Sequence, residues 1–365
     1  MSETLKARLP ALRQRMLSEG SDLLVIGPGS HMQYLLGFYP HPDERVCLLM
    51  ISSSAALLLC PALNANEAAQ QTDIPLVRWN DEDGPAEALQ HALSALSASD
   101  SQCIAVDETM RADFALLVLD SLPGAKHVFS DNTVGWMRMR KDEDEYRRLK
   151  MNALIDDSAM RCAATHARAG MTERELTSII REHFAEQDAR TEFAIVATGA
   201  NGAHPHHAPD DTVIQPGDAI VVDIGSRKDG VPSDMTRMIA IGEPPEGYEE
   251  VHAIVQRANK AALAAAKPGV AASVVDAAAR DVITEAGYGE YFTHRTGHGL
   301  GLDIHEPPYI TATSDVILDE GMVFSIEPGI YLPGRFGIRL EDIVILRAEG
   351  AEVLSELPLD LLIAG

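Results

Sequence analysis

The spacing of apolar residues changes along the first third of the chain, from a helical period to short extended runs. Apolar residues first recur every three or four positions and then meet a glycine, at Leu5, Leu9, Leu12, Met16 and Gly20. This spacing predicts a helix with a C-terminal stop. Apolar runs at 23–26, 46–51, 56–59 and 104–106 then alternate with helical stretches at 86–96 and 111–119. Such alternation predicts an α/β domain around a central sheet.

The remainder of the chain has a different pattern. A charged stretch at 137–150 separates two apolar regions and suits a domain junction, so we predict domains at 1–134 and 135–365. A capping box from Thr172 to Glu175 begins a helix. The strand 219–226 returns as 233–241, helical stretches follow at 247–266 and 273–286, and 323–332 pairs with 338–346. The predicted fold class is α+β, with a smaller α/β domain before the larger second domain.

Composition and charge narrow the classes of partner. Of the 365 residues 46% are hydrophobic, and the formal net charge is -25. An acidic surface repels phosphate backbones, which argues against a nucleic-acid partner. The charged N-terminus lacks the apolar stretch of a signal peptide, and no segment has the roughly 20 apolar residues of a membrane span. The four cysteines are widely spaced, so we expect free thiols in a cytoplasmic protein with no membrane partner.

Two aspartates lie within apolar strands. Asp223 follows two valines, and Asp234 precedes Met235. We expect the two carboxylates to face each other across the hairpin, with Cβ atoms about 5 Å apart. Buried carboxylates at that distance repel unless cations lie between them. The alternative, a pair of aspartates in a solvated turn, is disfavoured by the apolar neighbours. The pair therefore predicts a cation site.

A histidine and two glutamates have matching positions. His298 lies between glycines, where the backbone can approach a ligand closely. Glu327 ends an apolar strand, and Glu341 shares a strand face with Arg339. Asp342 points the other way, and we expect it to be solvated or hydrogen-bonded. Four carboxylates and one imidazole favour Mn²⁺, with Co²⁺ and Zn²⁺ as alternatives. Two such ions about 3.5–4 Å apart can hold a hydroxide ready to attack a carbonyl.

These pieces, in this order, resemble the pita-bread metallopeptidases, the family of prolidase, aminopeptidase P and methionine aminopeptidase. The matching motifs are Val-Asp-Ile-Gly at 222–225, Ser-Asp-Met-Thr-Arg at 233–237, Gly-His-Gly-Leu-Gly at 297–301, Ile-Glu-Pro-Gly at 326–329 and Arg-Leu-Glu-Asp at 339–342. The close resemblance runs from about residue 140 to the C-terminus. The first third is more loosely similar to the creatinase-type N-terminal domain, which favours the prolidase and aminopeptidase P branch.

The resemblance implies a role for each metal ligand. Asp223 would chelate one metal, and Asp234 and Glu341 would bridge both. His298 and Glu327 would hold the second metal. Creatinase shares the fold but lacks these ligands, so the complete set disfavours a creatinase-like activity.

The resemblance also implies groups that act on substrate. A catalytic histidine is expected in the loop before the first ligand strand, where spacing selects His206, with His207 as the alternative. His206 and His305 would stabilise the developing oxyanion, and Glu327 would shuttle the proton. The remaining matches are expected to bind or orient substrate: His294, Tyr331 and Arg339.

The implied activity is hydrolysis of the bond before proline in dipeptides or short peptides. One departure concerns substrate length. Some prolidases carry an arginine shortly after the histidine that matches His305, where it holds the terminal carboxylate, and this chain has Tyr309 there. Arg335 and His294 are the basic residues considered as replacements. An aminopeptidase P acting on longer peptides therefore stays open, as do a metal-dependent hydrolase or lyase of a small metabolite and a binding protein with a degenerate site. The N-terminal domain carries no candidate chemistry, and we expect it to support a homodimer, as in the family.

Overall fold

The computed structural model describes residues 3–364, and the chain forms two compact units that divide between Arg138 and Met139. The sequence placed this boundary at 134/135; in the structure the helix Val134–Met139 covers those positions. Among the described residues, no helix combines the length and apolarity that crossing a membrane requires.

The N-terminal unit is built around one mixed six-stranded sheet with the strand order β4-β3-β2-β1-β5-β6. Its strands are β1 (Leu23–Ile26), β2 (Leu48–Ser52), β3 (Ala56–Pro61), β4 (Leu76–Trp79), β5 (Cys103–Val106) and β6 (Lys126–Phe129). Its helices are α1 (Glu3–Ser18), α2 (Ser30–Leu36), α3 (Ala62–Gln71), α4 (Ala86–Ala95), α5 (Ala112–Ser121) and α6 (Val134–Met139), at whose end the unit stops. The central strands β1 and β2 are buried throughout, which confirms the predicted sheet core.

The second unit has four long helices. They are α7 (Glu143–His166), α8 (Glu173–Glu186), α9 (Tyr248–Ala265) and α10 (Ala272–Glu285). The predicted capping box is present at α8, where Thr172 and Glu175 bond each other's backbone N–H groups. A second box, from Asp142 to Glu145, begins α7.

The strands of this unit form three sheets, with the orders β18-β10-β8-β7, β12-β11-β13-β16-β17 and β14-β15. The first half comprises β7 (Arg190–Thr198), β8 (Ala219–Lys228), β9 (Val231–Pro232), β10 (Met235–Ile241), β11 (Gly297–Gly299) and β12 (Glu306–Ile310). The second half comprises β13 (Val323–Ile326), β14 (Gly329–Leu332), β15 (Phe336–Arg339), β16 (Asp342–Arg347), β17 (Gly350–Val353) and β18 (Leu362–Ala364).

Strand alternation along β8 separates a core face from a site face. Ile220 and Val222 join the apolar core that includes α7 and α8. Val221 belongs to the other large core, which includes α9 and α10. Because side chains alternate along a strand, Asp223 projects on the same face as Val221, away from α7 and α8.

The register of the β8–β10 hairpin differs from the sequence prediction. Asp223 pairs with Thr236, so Asp234 lies one diagonal step away rather than directly opposite. The reason is the turn: Asp229 and Gly230 both have positive φ and form a two-residue turn between the paired Lys228 and Val231. That turn centres the hairpin one residue later than expected. The predicted face-to-face pairing is wrong, although both aspartates remain on one face of the sheet.

The predicted pairing of 323–332 with 338–346 is present but belongs to two sheets. β13 pairs with β16 up to Ile326 opposite Asp342, and β14 pairs with β15 from Gly329 opposite Arg339. Both strands break at the same level, between these two ladders. Glu327 and Glu341 occupy the breaks, so the change from one sheet to the other brings the two glutamates to a common place.

Candidate metal centre and active site

A cavity of about 760 Å³ lies in the second unit. All but one of the residues predicted for the site line its wall: His206, Asp223, Asp234, His294, His298, His305, Glu327, Arg339 and Glu341. Tyr331, the exception, is buried directly behind the wall, where its hydroxyl contacts His294 and Arg339. The fold therefore gathers residues that lie far apart in sequence around one space.

Three of the five predicted metal ligands form a compact buried group. One side-chain donor atom from each of Asp234, His298 and Glu341 lies within 4.8 Å of the other two. The His298 Nε2 atom is 3.3 Å from Glu327 Oε1 and 3.6 Å from Asp234 Oδ2. Donor atoms at these separations can share one divalent cation between them.

The environment of His298 fixes its orientation and protonation. Its Nδ1–H donates to the Gly299 carbonyl at 3.1 Å, which leaves the Nε2 lone pair facing the carboxylates. Burial lowers the pKa of His298 to about 3, with the neighbouring His305 as the second cause, so the ring is neutral. A Cβ at Gly297 would lie 1.9 Å from the Ser325 carbonyl oxygen, and one at Gly299 would lie 2.3 Å from that of Pro307. The flanking glycines are therefore required by backbone contact on both sides.

Asp223 is held by a chain of hydrogen bonds behind the metal group. Arg339 donates to Asp223 Oδ2, to the Tyr331 hydroxyl at 2.8 Å and to Thr236 Oγ1 at 3.1 Å. The Thr236 hydroxyl in turn donates to Glu341 Oε2 at 2.7 Å. The opposite oxygens, Asp223 Oδ1 and Glu341 Oε1, are buried without a hydrogen-bond partner in the described part of the chain. Each carboxylate therefore has one anchored oxygen and one oxygen available to a cation.

The pKa values of the carboxyl groups report how closely they are packed. Burial and, after it, repulsion from neighbouring carboxylates raise the pKa of Asp234 and of Glu341 well above the usual range. Burial raises the pKa of Glu327 to about 7, although Arg339 opposes the rise. Such groups ionise together when a cation replaces the lost water. The donor set and the two orphaned oxygens thus fit divalent cations.

The histidines on the substrate side differ in how they are held. His206 is exposed to the cavity, whereas His207 bonds to the buried Glu173 carboxylate at 2.7 Å. The ring of His305 lies 4.0 Å from that of His298, centroid to centroid. His294 uses both nitrogens, with Nδ1–H donating to the Arg295 carbonyl and Nε2 accepting from Tyr331. Burial, followed by the charge of Arg339, lowers the pKa of His294 to about 4.

Sequence reasoning missed one cation on the cavity wall, Arg295. Its guanidinium carbon lies 4.8 Å from the ring centroid of the half-exposed Tyr309. Arg335, which was considered as a replacement for the carboxylate-binding arginine of some prolidases, does not line the cavity. It is exposed and donates to the Glu246 carbonyl. The available signal was a basic residue three positions before His298, in the irregular segment that precedes β11, but the direction of a loop side chain has no sequence period.

Asp342 is buried rather than solvated. It accepts a hydrogen bond from Arg237 at 2.7 Å, in line with the hydrogen-bonded alternative. Arg237 is fully buried and also donates to the Glu341 carbonyl, so this pair supports the backbone of a metal-group residue from the side away from the cavity.

The comparisons with known proteins identify the family. The profile of metallopeptidase family M24 matches residues 147–348, and that of the creatinase/prolidase N-terminal domain matches residues 8–140. The chain belongs to metallopeptidase family M24 and is a hydrolase of that class. The predicted α+β pita-bread fold with a creatinase-type N-terminal domain is confirmed.

Relatives match over nearly the whole chain. The probable dipeptidase PepE of Mycobacterium tuberculosis is 40% identical over 354 residues, covering 93% of this chain and 91% of that protein. The Xaa-Pro dipeptidase of Lactobacillus delbrueckii subsp. lactis is 35% identical over 349 residues, covering 94% and 95%. The crystal structure of dipeptidase PepE from Mycobacterium ulcerans superposes with a TM-score of 0.93 at 37% identity, covering 99% of this chain and 98% of that one.

We expect two classes of histidine to separate by metal content. His298→Ala should lose bound metal together with activity, because its lone pair faces the carboxylate group. His206→Ala should keep its metal and lose about 10²–10³-fold in kcat, the usual effect of removing one oxyanion donor. Elemental analysis and kinetics on the same preparations measure both quantities.

His207→Ala serves as the comparison and should lose less activity than His206→Ala. An inactive His207→Ala beside an active His206→Ala would exchange their roles. Metal loss in both loop variants would instead assign the loop to the metal shell.

Protein stripped of metal should lose stability as pH rises from about 5 to 8. The pKa of Glu327 is raised from 4.5 to about 7, and those of Asp234 and Glu341 are raised further. The folded state then binds more protons than the unfolded chain, so this stability is present at low pH and is lost as pH passes the folded pKa values. Thermal unfolding of chelator-treated protein measures the trend.

Glu327→Gln is the control for that trend, because it removes one titrating group. As pH rises, the Tm of the wild type should fall relative to the Tm of Glu327→Gln. Saturating Mn²⁺ should reverse the wild-type trend, since the cation binds the ionised carboxylates. A pH-independent difference between the two metal-free proteins would contradict the assignment.

Proposed function

We propose that this metallopeptidase hydrolyses Xaa-Pro dipeptides with two divalent cations, Mn²⁺ first among them, held by Asp223, Asp234, His298, Glu327 and Glu341. The observation that carries the proposal is the pair of orphaned oxygens, Asp223 Oδ1 and Glu341 Oε1, buried in the same cavity wall as a neutral imidazole. Buried ionisable oxygens without a partner are costly unless a cation completes them.

Bound at these ligands, the cations would activate a water molecule and polarise the substrate carbonyl. The chain's own groups would do the rest. Glu327, a carboxylate beside the position of the attacking water, is suited to accept its proton and return it to the proline nitrogen as the C–N bond breaks. The Ser325 hydroxyl, 3.0 Å from Glu327 Oε1, keeps that carboxyl in place. His206 and His305 would donate to the oxygen on which negative charge develops.

The apolar part of the cavity wall suits an apolar dipeptide. Phe193, Ile195, Pro205 and Pro209 line it. A proline ring has no N–H to satisfy and buries apolar area against such surfaces. The Xaa-Pro specificity of the Lactobacillus delbrueckii relative supports the same substrate class.

The position of Arg295 supports a substrate whose far end is a free carboxylate. The two arginines on the wall differ: Arg339 is committed to Asp223, whereas Arg295 stacks on Tyr309. Arg295 lines the same cavity wall as His305 and His298, and its charge contributes to the lowered pKa of both histidines. The neutral His294 has no free N–H. We therefore propose Arg295 as the carboxylate partner in place of the arginine that some prolidases carry.

The proposed function is tested by substrate length and metal content together. Chelation should abolish cleavage of Ala-Pro and Mn²⁺ should restore it, because five ligands converge on one space. Ala-Pro should be cleaved faster than Ala-Pro-Ala. Elemental analysis of active enzyme should give two metal ions per chain.

Other outcomes identify the alternatives. Preference for Ala-Pro-Ala would assign an aminopeptidase P activity. Failure on every Xaa-Pro peptide in Mn²⁺ would favour a hydrolase or lyase of a small metabolite. Full activity in metal-free protein would contradict the mechanism.

Arg295→Met should lower kcat/KM for Ala-Pro by about 10- to 100-fold, the effect of losing a hydrogen bond to a charged group. The same variant should cleave the Ala-Pro amide as the wild type does, because that substrate has no carboxylate. Arg335→Met is the matched control, an exposed arginine outside the cavity. Equal losses on acid and amide would assign Arg295 to general support of the site.

We also retain a cytoplasmic homodimer as a prediction. The edge strand β6 supports a contact within the N-terminal unit, because Val128 is 41% and Phe129 61% exposed beside its unpaired backbone edge.

A further inference from the structure

Glu173 is a buried carboxylate that the proposed chemistry does not use. It is the first residue of α8, its exposure is 0%, and it follows the capping residue Thr172. A carboxylate at this end of a helix is stabilised by the helix dipole. Its side chain points to the segment 198–210, which starts at the last residue of β7, forms the first part of the connection to β8 and carries His206.

Four donors spaced along that segment converge on the Glu173 carboxylate. The Thr198 N–H and the Asn201 side-chain amide donate to Oε1 at 2.8 and 3.0 Å. The His207 Nε2–H and the Asp210 N–H donate to Oε2 at 2.7 and 3.0 Å. One carboxylate thus fixes both ends and the middle of a thirteen-residue segment, 198–210.

These contacts leave no place for a metal ion at Glu173, although His207 and Asp210 are close enough to suggest one. Each carboxylate oxygen already accepts two hydrogen bonds, and the His207 nitrogen that faces it acts as a donor. A cation would have to displace those donors. The cluster is a saturated anchor for the loop.

His206 lies between the anchored positions and has no hydrogen bond of its own within residues 3–364. Its position in the cavity therefore depends on the backbone that carries it. The adjacent His207 also lines the cavity, but its Nε2 atom is bonded to the buried Glu173 carboxylate. The two neighbouring histidines divide the tasks of anchoring the loop and facing the substrate.

We propose that Glu173 and His207 form a positioning pair that fixes the segment 198–210 and thereby places the His206 imidazole for the reaction. The inference rests on the proposed function for its kinetic consequence, and on the hydrogen bonds alone for the anchoring of the loop.

Glu173→Gln and His207→Phe test the pair. Glu173→Gln replaces one carboxylate oxygen, which accepts two hydrogen bonds, with an amide NH2 group that can only donate. His207→Phe removes the ring N–H donor and keeps a ring of similar size. With Mn²⁺-loaded enzyme and Ala-Pro, both should lower kcat by about 10- to 100-fold, the scale of misplacing a catalytic group by about 1 Å. KM should stay within about threefold and metal content should stay unchanged, because no metal ligand is touched.

Two variants serve as controls. His207→Gln keeps an N–H donor and should recover kcat to within about fivefold of the wild type. Glu175→Gln removes the exposed carboxylate of the capping box at the same helix end and should leave kcat unchanged. Hydrogen exchange of the amides at 198–210 gives a readout that needs no activity, and it should be faster in Glu173→Gln and His207→Phe only.

Unchanged kcat in His207→Phe, or metal loss in either variant, overturns the proposal. Faster exchange over the whole second unit would assign Glu173 to general stability and also overturns it. If the wild type cleaves no Xaa-Pro peptide, the proposed function fails separately. Hydrogen exchange of the amides at 198–210 then still tests whether Glu173 and His207 anchor the loop. Exchange that is unchanged in Glu173→Gln and His207→Phe rejects the anchor.

Discussion

The repulsion among four carboxylates in one buried space is the constraint on which the catalytic unit depends. Three of the four carboxylates are restrained from behind: Arg339 holds Asp223, Thr236 holds Glu341, and Ser325 holds Glu327. These partners satisfy one oxygen and leave the other free. The result is an acidic group whose charge favours divalent cations and whose carboxylates are oriented by hydrogen bonds from the protein.

The sheets create this arrangement by changing partners. Glu327 and Glu341 lie where a continuous pair of strands passes from one sheet to another, and Asp223 lies on the face of β8 that is turned away from α7 and α8. Glycines on both sides of His298 allow the backbone to approach neighbouring strands. Packing and ligand placement are therefore consequences of the same strand pairing, so a change in register would move several donors at once.

The substrate side is held by different means. His206 lies on an irregular loop, and the anchor at Glu173 replaces the ladder of hydrogen bonds that a strand would provide. Arg295 is oriented by stacking on Tyr309, the residue that stands where some prolidases have arginine. The loop side, where hydrogen bonds and stacking replace strand pairing, is where this chain can set its own specificity.

The sequence alone determined the fold class and the capping box at Thr172 and named the candidate donor residues, because apolar period and residue chemistry are local properties. It also located Asp223 and Asp234 on one hairpin but predicted the wrong register, since positive φ at both Asp229 and Gly230 shifts the turn. The contacts of Arg295 and Glu173 were decided by tertiary structure only. A loop side chain has no period from which its direction can be read, and its contacts come from segments distant in the chain.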